Sequence, residues 1–144
     1  MDVEAILRAK GSTVHTVSTG ALVVAAVEAM NRMRLGALVV TDEDGSIAGM
    51  VSERDIVTGL CRHGSGVLRC RVAEVMDRHF SVCAPGDSIV AVMEQMTRTR
   101  RRHTPVIDAG RLVGIVSIGD IVKRRVDELA LETRVLRDVY LASH

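Results

Sequence analysis

Two serine–aspartate pairs are the groups in this chain best placed to do chemistry. Ser52 and Asp55 lie three residues apart, as do Ser117 and Asp120, each pair at the head of an apolar run. A serine at a helix N-terminus sits beside backbone N–H groups that can hold a phosphate. A carboxylate one turn further on can accept from both hydroxyls of a ribose. The same spacing also makes a capping box, in which serine and acid satisfy orphan amides of the first turn. Glu or Gln is usual at the third position of such a box, and Asp is one methylene shorter. Both readings stay open at this level. In the first pair Arg54 lies between Ser and Asp, where a guanidinium could meet a phosphate; the second pair has Gly119.

The pairs belong to an internal repeat. Gly49-Met50-Val51-Ser52-Glu53-Arg54-Asp55-Ile56-Val57 returns as Gly114-Ile115-Val116-Ser117-Ile118-Gly119-Asp120-Ile121-Val122, with six of nine positions identical. Upstream, Gly20, Val24, Ala25, Glu28 and Met30 match Gly86, Val90, Ala91, Glu94 and Met96. A repeat of this length names the folding unit. Residues 14–17 and 80–83 are short β-prone pieces. Val23, Val24, Val27 and Met30, and their counterparts Ile89, Val90, Met93 and Met96, recur at helical spacing. Residues 37–40 and 104–107 read as strands that turn into returning strands at 47–51 and 112–116. Ser52 and Ser117 then open a second helix. The predicted fold is α/β (α+β), with a β-α-β-β-α unit present twice. One unit alone buries little surface, so two packed sheet to sheet as one pseudo-twofold module are expected. The boundaries expected are repeat 1 with a short N-terminal helix at 1–62, repeat 2 at 72–125, and a helical extension at 126–144.

Composition narrows the function classes. The chain has 144 residues, net charge +1, one Phe, one Tyr and no Trp. There is no broad basic field for nucleic acid or anionic lipid, and no aromatic platform for stacking single strands. No apolar stretch has the length of a membrane span, the N-terminus lacks a signal-peptide pattern, and a cytoplasmic location is expected. Cys61, Cys70 and Cys83 are odd in number and lack metal-ligand spacing, so they read as reduced thiols. The five histidines show no i, i+4 pair, and no metal site is expected. No nucleophile motif, P-loop or Gly-x-Gly-x-x-Gly occurs, and neither serine has a neighbouring base; the chain reads as a non-enzyme.

The repeated Gly-x-x-Ser-x-x-Asp, preceded by an apolar-apolar-Asp-x-Gly-x-apolar-x-Gly hairpin, resembles tandem CBS (cystathionine-β-synthase) domains. Val51-Ser52-Glu53-Arg54-Asp55, Arg102-His103-Thr104-Pro105-Val106 and Val116-Ser117-Ile118-Gly119-Asp120 are similar to small stand-alone bacterial CBS-pair proteins. The resemblance implies a flat module with two clefts between its repeats. It implies adenosyl ligands such as AMP, ADP, ATP, NAD(H) or S-adenosylmethionine, with no cofactor required. By the same resemblance Asp55 and Asp120 each hold a ribose diol, and Ser52 and Ser117 contact phosphate or cap the helix beneath it. Thr104 and Pro105, with residues 14–16 and 80–82, would line the adenine slots largely through backbone. Arg102 and His103, nearest the strand in the basic run of Arg98, Arg100, Arg101 and Arg102, are expected at a phosphate, whereas the run as a whole also suits a solvated helix C-terminus.

Residues 122–141 read as an amphipathic helix longer than the repeat needs, with Val122, Val126, Leu129, Leu136 and Tyr140 close to one stripe. That stripe either packs back on its own module or makes a homodimer contact; the homodimer is the expectation here. The leading functional expectation is a regulatory module for adenine nucleotides, read by a separate effector protein, with a ligand-free interaction module as the alternative.

Overall fold

A computed structural model of the chain describes residues 1–11 and 13–143. In chain order its elements are α1 (Val3–Lys10), β1 (Thr16–Ser18), α2 (Val23–Met33), β2 (Ala37–Thr41), β3 (Ile47–Ser52) and α3 (Glu53–His63). Two 3-10 helices, Gly64–Arg69 and Val72–Glu74, follow, and then α4 (Ile89–Thr99), β4 (His103–Asp108), β5 (Arg111–Ser117) and α5 (Ile118–Ser143). The fold is α/β with two small sheets, as expected from the repeat. The chain forms two compact units, one of Val14–Ser81 and one that joins α1 to the residues from Val82 on.

The first unit holds a three-stranded sheet in the order β1-β2-β3. β1 runs parallel to β2, from Thr16 opposite Val39 to Ser18 opposite Thr41, and β3 returns antiparallel. Val23, Ala26 and Met30 are the buried residues of α2. The helix therefore presents Ala26 rather than Val24 to the interior, a small residue that allows close approach. Its core joins Ala26, Met30, Leu38, Val40 and Val51 to Val72 and Met76.

The second unit repeats this plan with one loss. Its named sheet has only β4 and β5, and the expected strand at 80–83 is reduced to a single parallel bridge between Cys83 and Val106. Cys83 donates to the Pro105 carbonyl at 3.0 Å and accepts from the Ile107 amide at 2.8 Å. The ladder stops there because the chain's two prolines stand on either side of the bridge. Pro105 replaces Val39 of the first copy, and Pro85 replaces Thr19, whose amide donates to Thr41 at 3.0 Å. Proline has no N–H to offer at either place. The β4–β5 hairpin closes on Ala109 and Gly110, at φ 50° and 77°, the left-handed pair that a two-residue turn of this twist requires. In α4 the buried residues are Ile89, Val92 and Met96, with Met93 partly buried against the same cluster, so Val92 takes the place that the sequence pattern gave to Val90.

The N-terminal helix was expected to belong with repeat 1. It belongs instead to the second unit, because Val3 and Ile6 are buried in one apolar cluster with Ile89, Val92, Val106, Val116 and Ile121. Likewise Val72 and Met76, which precede the second copy in sequence, complete the core of the first. This exchange explains the glycine before each serine. A Cβ on Gly49 would stand 2.6 Å from the Asp77 carbonyl oxygen, where the connector crosses β3. A Cβ on Gly114 would meet the Leu7 side chain of α1. The copies also end differently. α3 stops at His63 with Gly64 at φ 61°, whereas α5 has Leu129 at the matching position and continues unbroken to Ser143.

Candidate functional site

Each serine–aspartate pair stands where a returning strand passes into a helix. In the first copy the Ser52 amide donates to Asp55 Oδ2 at 2.8 Å, and the Asp55 amide donates to Ser52 Oγ at 3.4 Å. The Ser52 hydroxyl donates to the same carboxylate oxygen at 2.9 Å. In the second copy the Ser117 amide reaches Asp120 Oδ2 at 2.8 Å, and the Asp120 amide reaches Ser117 Oγ at 3.1 Å. Both are complete capping boxes. The shorter Asp side chain, judged less apt from the sequence, closes the box because the serine backbone is extended and brings its amide within reach. In both pairs Oδ2 takes the box, while Oδ1 accepts no hydrogen bond among the described residues.

The two carboxylates differ in their surroundings. Asp120 Oδ2 also accepts from Lys10 Nζ at 2.8 Å, and Lys10 donates again to the Ile115 carbonyl at 3.0 Å. The position of Ile115 in the first copy is Met50, and the segment that crosses it there brings Asp77, whose backbone exchanges two hydrogen bonds with Met50. Burial pushes the Asp55 carboxyl above its ordinary value; the Ser52 hydrogen bonds oppose the rise, the Asp77 charge adds to it and Arg54 opposes it. Burial also acts upward on Asp120, but hydrogen bonds from Lys10 and Ser117 and the Lys10 charge outweigh it, so this carboxyl lies below its ordinary value. Sequence reasoning passed over Lys10. It lies 110 residues from Asp120, and no local pattern links the two.

Other expected residues gather around the second junction. The antiparallel register sets His103 opposite Ser117 and Pro105 opposite Ile115. The Ile118 amide donates to the Arg102 carbonyl at 2.8 Å, as the Glu53 amide does to Gly36 at 3.1 Å in the first copy. The backbones match, and the side chains differ: Arg102 and His103 stand where the first copy has Gly36 and Ala37. Arg54 and Arg102 are exposed. Thr104 is 2% exposed and alternates with His103 and Pro105 on the strand. Its side chain therefore shares the face of Val106 and Val116, which lie in the apolar cluster of the unit. His103, Pro105, Ile115 and Ser117 occupy the opposite face, so the structure separates Thr104 from the residues with which it was grouped.

Among the described residues no set of three or more His, Cys, Asp or Glu is placed to hold a metal, and no helix is long and apolar enough to cross a membrane. Burial pushes the Cys83 thiol up to about 12, which suits an unreactive core position.

The model of the CBS domain matches the chain twice, at residues 10–62 and 72–127. The chain belongs to the CBS-domain family. Over 107 residues it is 34% identical to the mitochondrial CBS domain-containing protein CBSX3 of Arabidopsis thaliana, covering 72% of this chain and 52% of that one. This CBS chain thus spans about half the length of that curated relative. Among solved structures, the CBS-domain containing protein ATU1752 from Agrobacterium tumefaciens is 38% identical with a TM-score of 0.83, over 86% of this chain and 92% of that one. The CBS domain pair of protein MJ0100, solved with 5′-methylthioadenosine and S-adenosyl-L-methionine, shares the fold with a TM-score of 0.79 at 22% identity, over 89% and 98% of the two chains. CBS-domain pairs are regulatory modules.

Proposed function

We propose that this CBS pair is a non-enzymatic regulatory module of the cytoplasm that binds an adenine nucleotide, AMP, ADP, ATP or NAD(H), and acts as a homodimer on a separate effector protein. The observation that carries the reading is the pair of partly buried carboxylates at strand-to-helix junctions, each with one oxygen left over from its capping box. In this reading Asp55 and Asp120 accept from ribose hydroxyls, and Ser52 and Ser117 support the phosphate end while capping α3 and α5. Arg54 serves phosphate in the first copy, and Arg102 with His103 serves it in the second. Thr104 contributes through its backbone and Pro105 through its ring. The adenosyl ligands of the MJ0100 pair support the ligand class. Bound nucleotide would favour one arrangement of the module over others, a population shift that an effector reads.

A second reading has an observation of its own. Complete capping boxes already employ both serines and both carboxylates, as a ligand-free interaction module would require. Calorimetry with AMP, ADP, ATP, NAD, NADH and S-adenosylmethionine separates the two. Micromolar binding of one compound, lost in Asp55→Ala or Asp120→Ala, is the expected result. Silence across the panel with nucleotide-free protein would transfer the conclusion to the interaction module.

A further inference from the structure

α5 carries a seam that the rest of its unit does not cover. Val122, Val126, Leu129, Thr133 and Leu136 are spaced 4, 3, 4 and 3 residues apart, the alternation that keeps one stripe facing a partner helix. Val126 is 58% exposed, Leu129 50% and Leu136 70%. The Thr133 hydroxyl donates to the Leu129 carbonyl at 2.9 Å, so its polar atom is satisfied within the helix and its methyl remains for the seam. A second apolar row, Leu131, Val135 and Val139, advances by 4 and 4 and drifts around the helix instead of holding a line.

We infer that the seam of α5 pairs with the same seam of a second copy as a parallel, in-register two-stranded coiled coil. The inference deepens the homodimer reading above and rests on it. Residue types fit this geometry. With Val126 and Thr133 at a, and Leu129 and Leu136 at d, the β-branched and leucine positions follow the preference of parallel dimers. Charge decides the direction. In the parallel arrangement Glu132 at g faces Arg137 at e of the other copy, and symmetry makes the contact twice. An antiparallel pair would set Glu132 against Glu132 and Lys123 against Arg137, both repulsive. Glu132 and Arg137 make no ion pair among the described residues, so both are available, whereas Arg125 is engaged with Glu128 of its own helix at 2.7 Å. From Val122 to Leu136 the seam runs about 21 Å at the helical rise per residue. That is short for an isolated coiled coil, and so the pairing acts together with the folded units that carry the helices.

The test uses the full chain in sedimentation equilibrium, with circular dichroism to check folding. Wild type is expected to be a dimer. Glu132→Arg and Arg137→Glu should each raise the dimer dissociation constant about tenfold. The double variant, and an equimolar mixture of the two single variants, should recover it. A Leu136→Cys variant in a Cys61→Ser, Cys70→Ser background should oxidise to a covalent dimer, because in-register seam positions lie within disulfide reach. A monomeric wild type would overturn both the homodimer and the coiled coil. A dimer indifferent to both charge reversals, or one that cross-links Leu136→Cys only to Val126→Cys, would overturn the parallel coiled coil and leave the homodimer standing.

Discussion

The two Ser-x-x-Asp junctions share a backbone and differ in electrostatics. Asp120 is held by Lys10, which bonds its Oδ2 and the Ile115 carbonyl. Asp55 has the Asp77 charge on its side of the balance and Arg54 as the opposing cation. A sequence can duplicate a motif and still produce two unlike sites, because each motif is finished by a segment from elsewhere in the chain. In the proposed reading the first copy leaves its carboxylate free of a strong cation, whereas in the second the Lys10 charge on Oδ2 makes the leftover Oδ1 a weaker acceptor for a ribose hydroxyl. This predicts unequal sites, with the first the stronger.

The largest effect expected of a single change is in the glycines behind the serines. Gly49→Ala should cost about 3 kcal/mol, because its Cβ would press on a backbone carbonyl that cannot rotate away. Gly114→Ala should cost about 1 kcal/mol, since Leu7 is a side chain that can change rotamer. Urea denaturation of both variants checks the order, and equal losses would show that the two crossings are alike. Next come the caps. Ser52→Ala and Ser117→Ala should each lose about 1 kcal/mol in the same experiment.

Ligand binding sharpens the comparison further. Lys10→Met should raise nucleotide affinity at the second site by about threefold, the worth of a modest ion pair, and leave the first unchanged. Titration calorimetry that resolves two sites reads this directly; a fall in affinity would make Lys10 a phosphate ligand instead. Arg54→Ala should weaken phosphorylated ligands more than adenosine, and equal weakening would remove its phosphate role.

The smallest effect is on acid stability, and it has opposite signs in the two copies. Asp120 lies below its ordinary value of 3.8, so its stabilisation is present above that pH and lost as pH falls through the folded value. Asp55 lies above 3.8, so its contribution is full below that pH and lost as pH rises through the folded value. Asp120→Asn should therefore flatten the stability profile below about pH 4 and Asp55→Asn above it, in pH-dependent melting.

Much of this was legible in the residues. The repeat set two β-α-β-β-α units, and apolar runs of strand length along 37–40 and 104–107 placed the central strands. Ser52 and Ser117 opened helices where the spacing put them. The phase of α2 and α4 was less legible, because Ala26 carries little hydrophobic signal and is nonetheless fully buried. The missing strand before α4 was available in principle from Pro85 and Pro105, but only once their partners in the ladder were known. Thr104 was grouped with its neighbours along the chain, and strand alternation sends its side chain to the other face.

By itself the sequence determined the folding unit, its duplication and the chemistry that each junction can offer. Those follow from periodicity, turn residues and helix caps, all of which act within a few residues. Only the tertiary structure decided that α1 belongs with the second copy, that Lys10 lies on Asp120 and that the seam of α5 stays exposed. These are contacts between distant segments, fixed by which apolar faces bury together, and burial is a property of the whole folded chain.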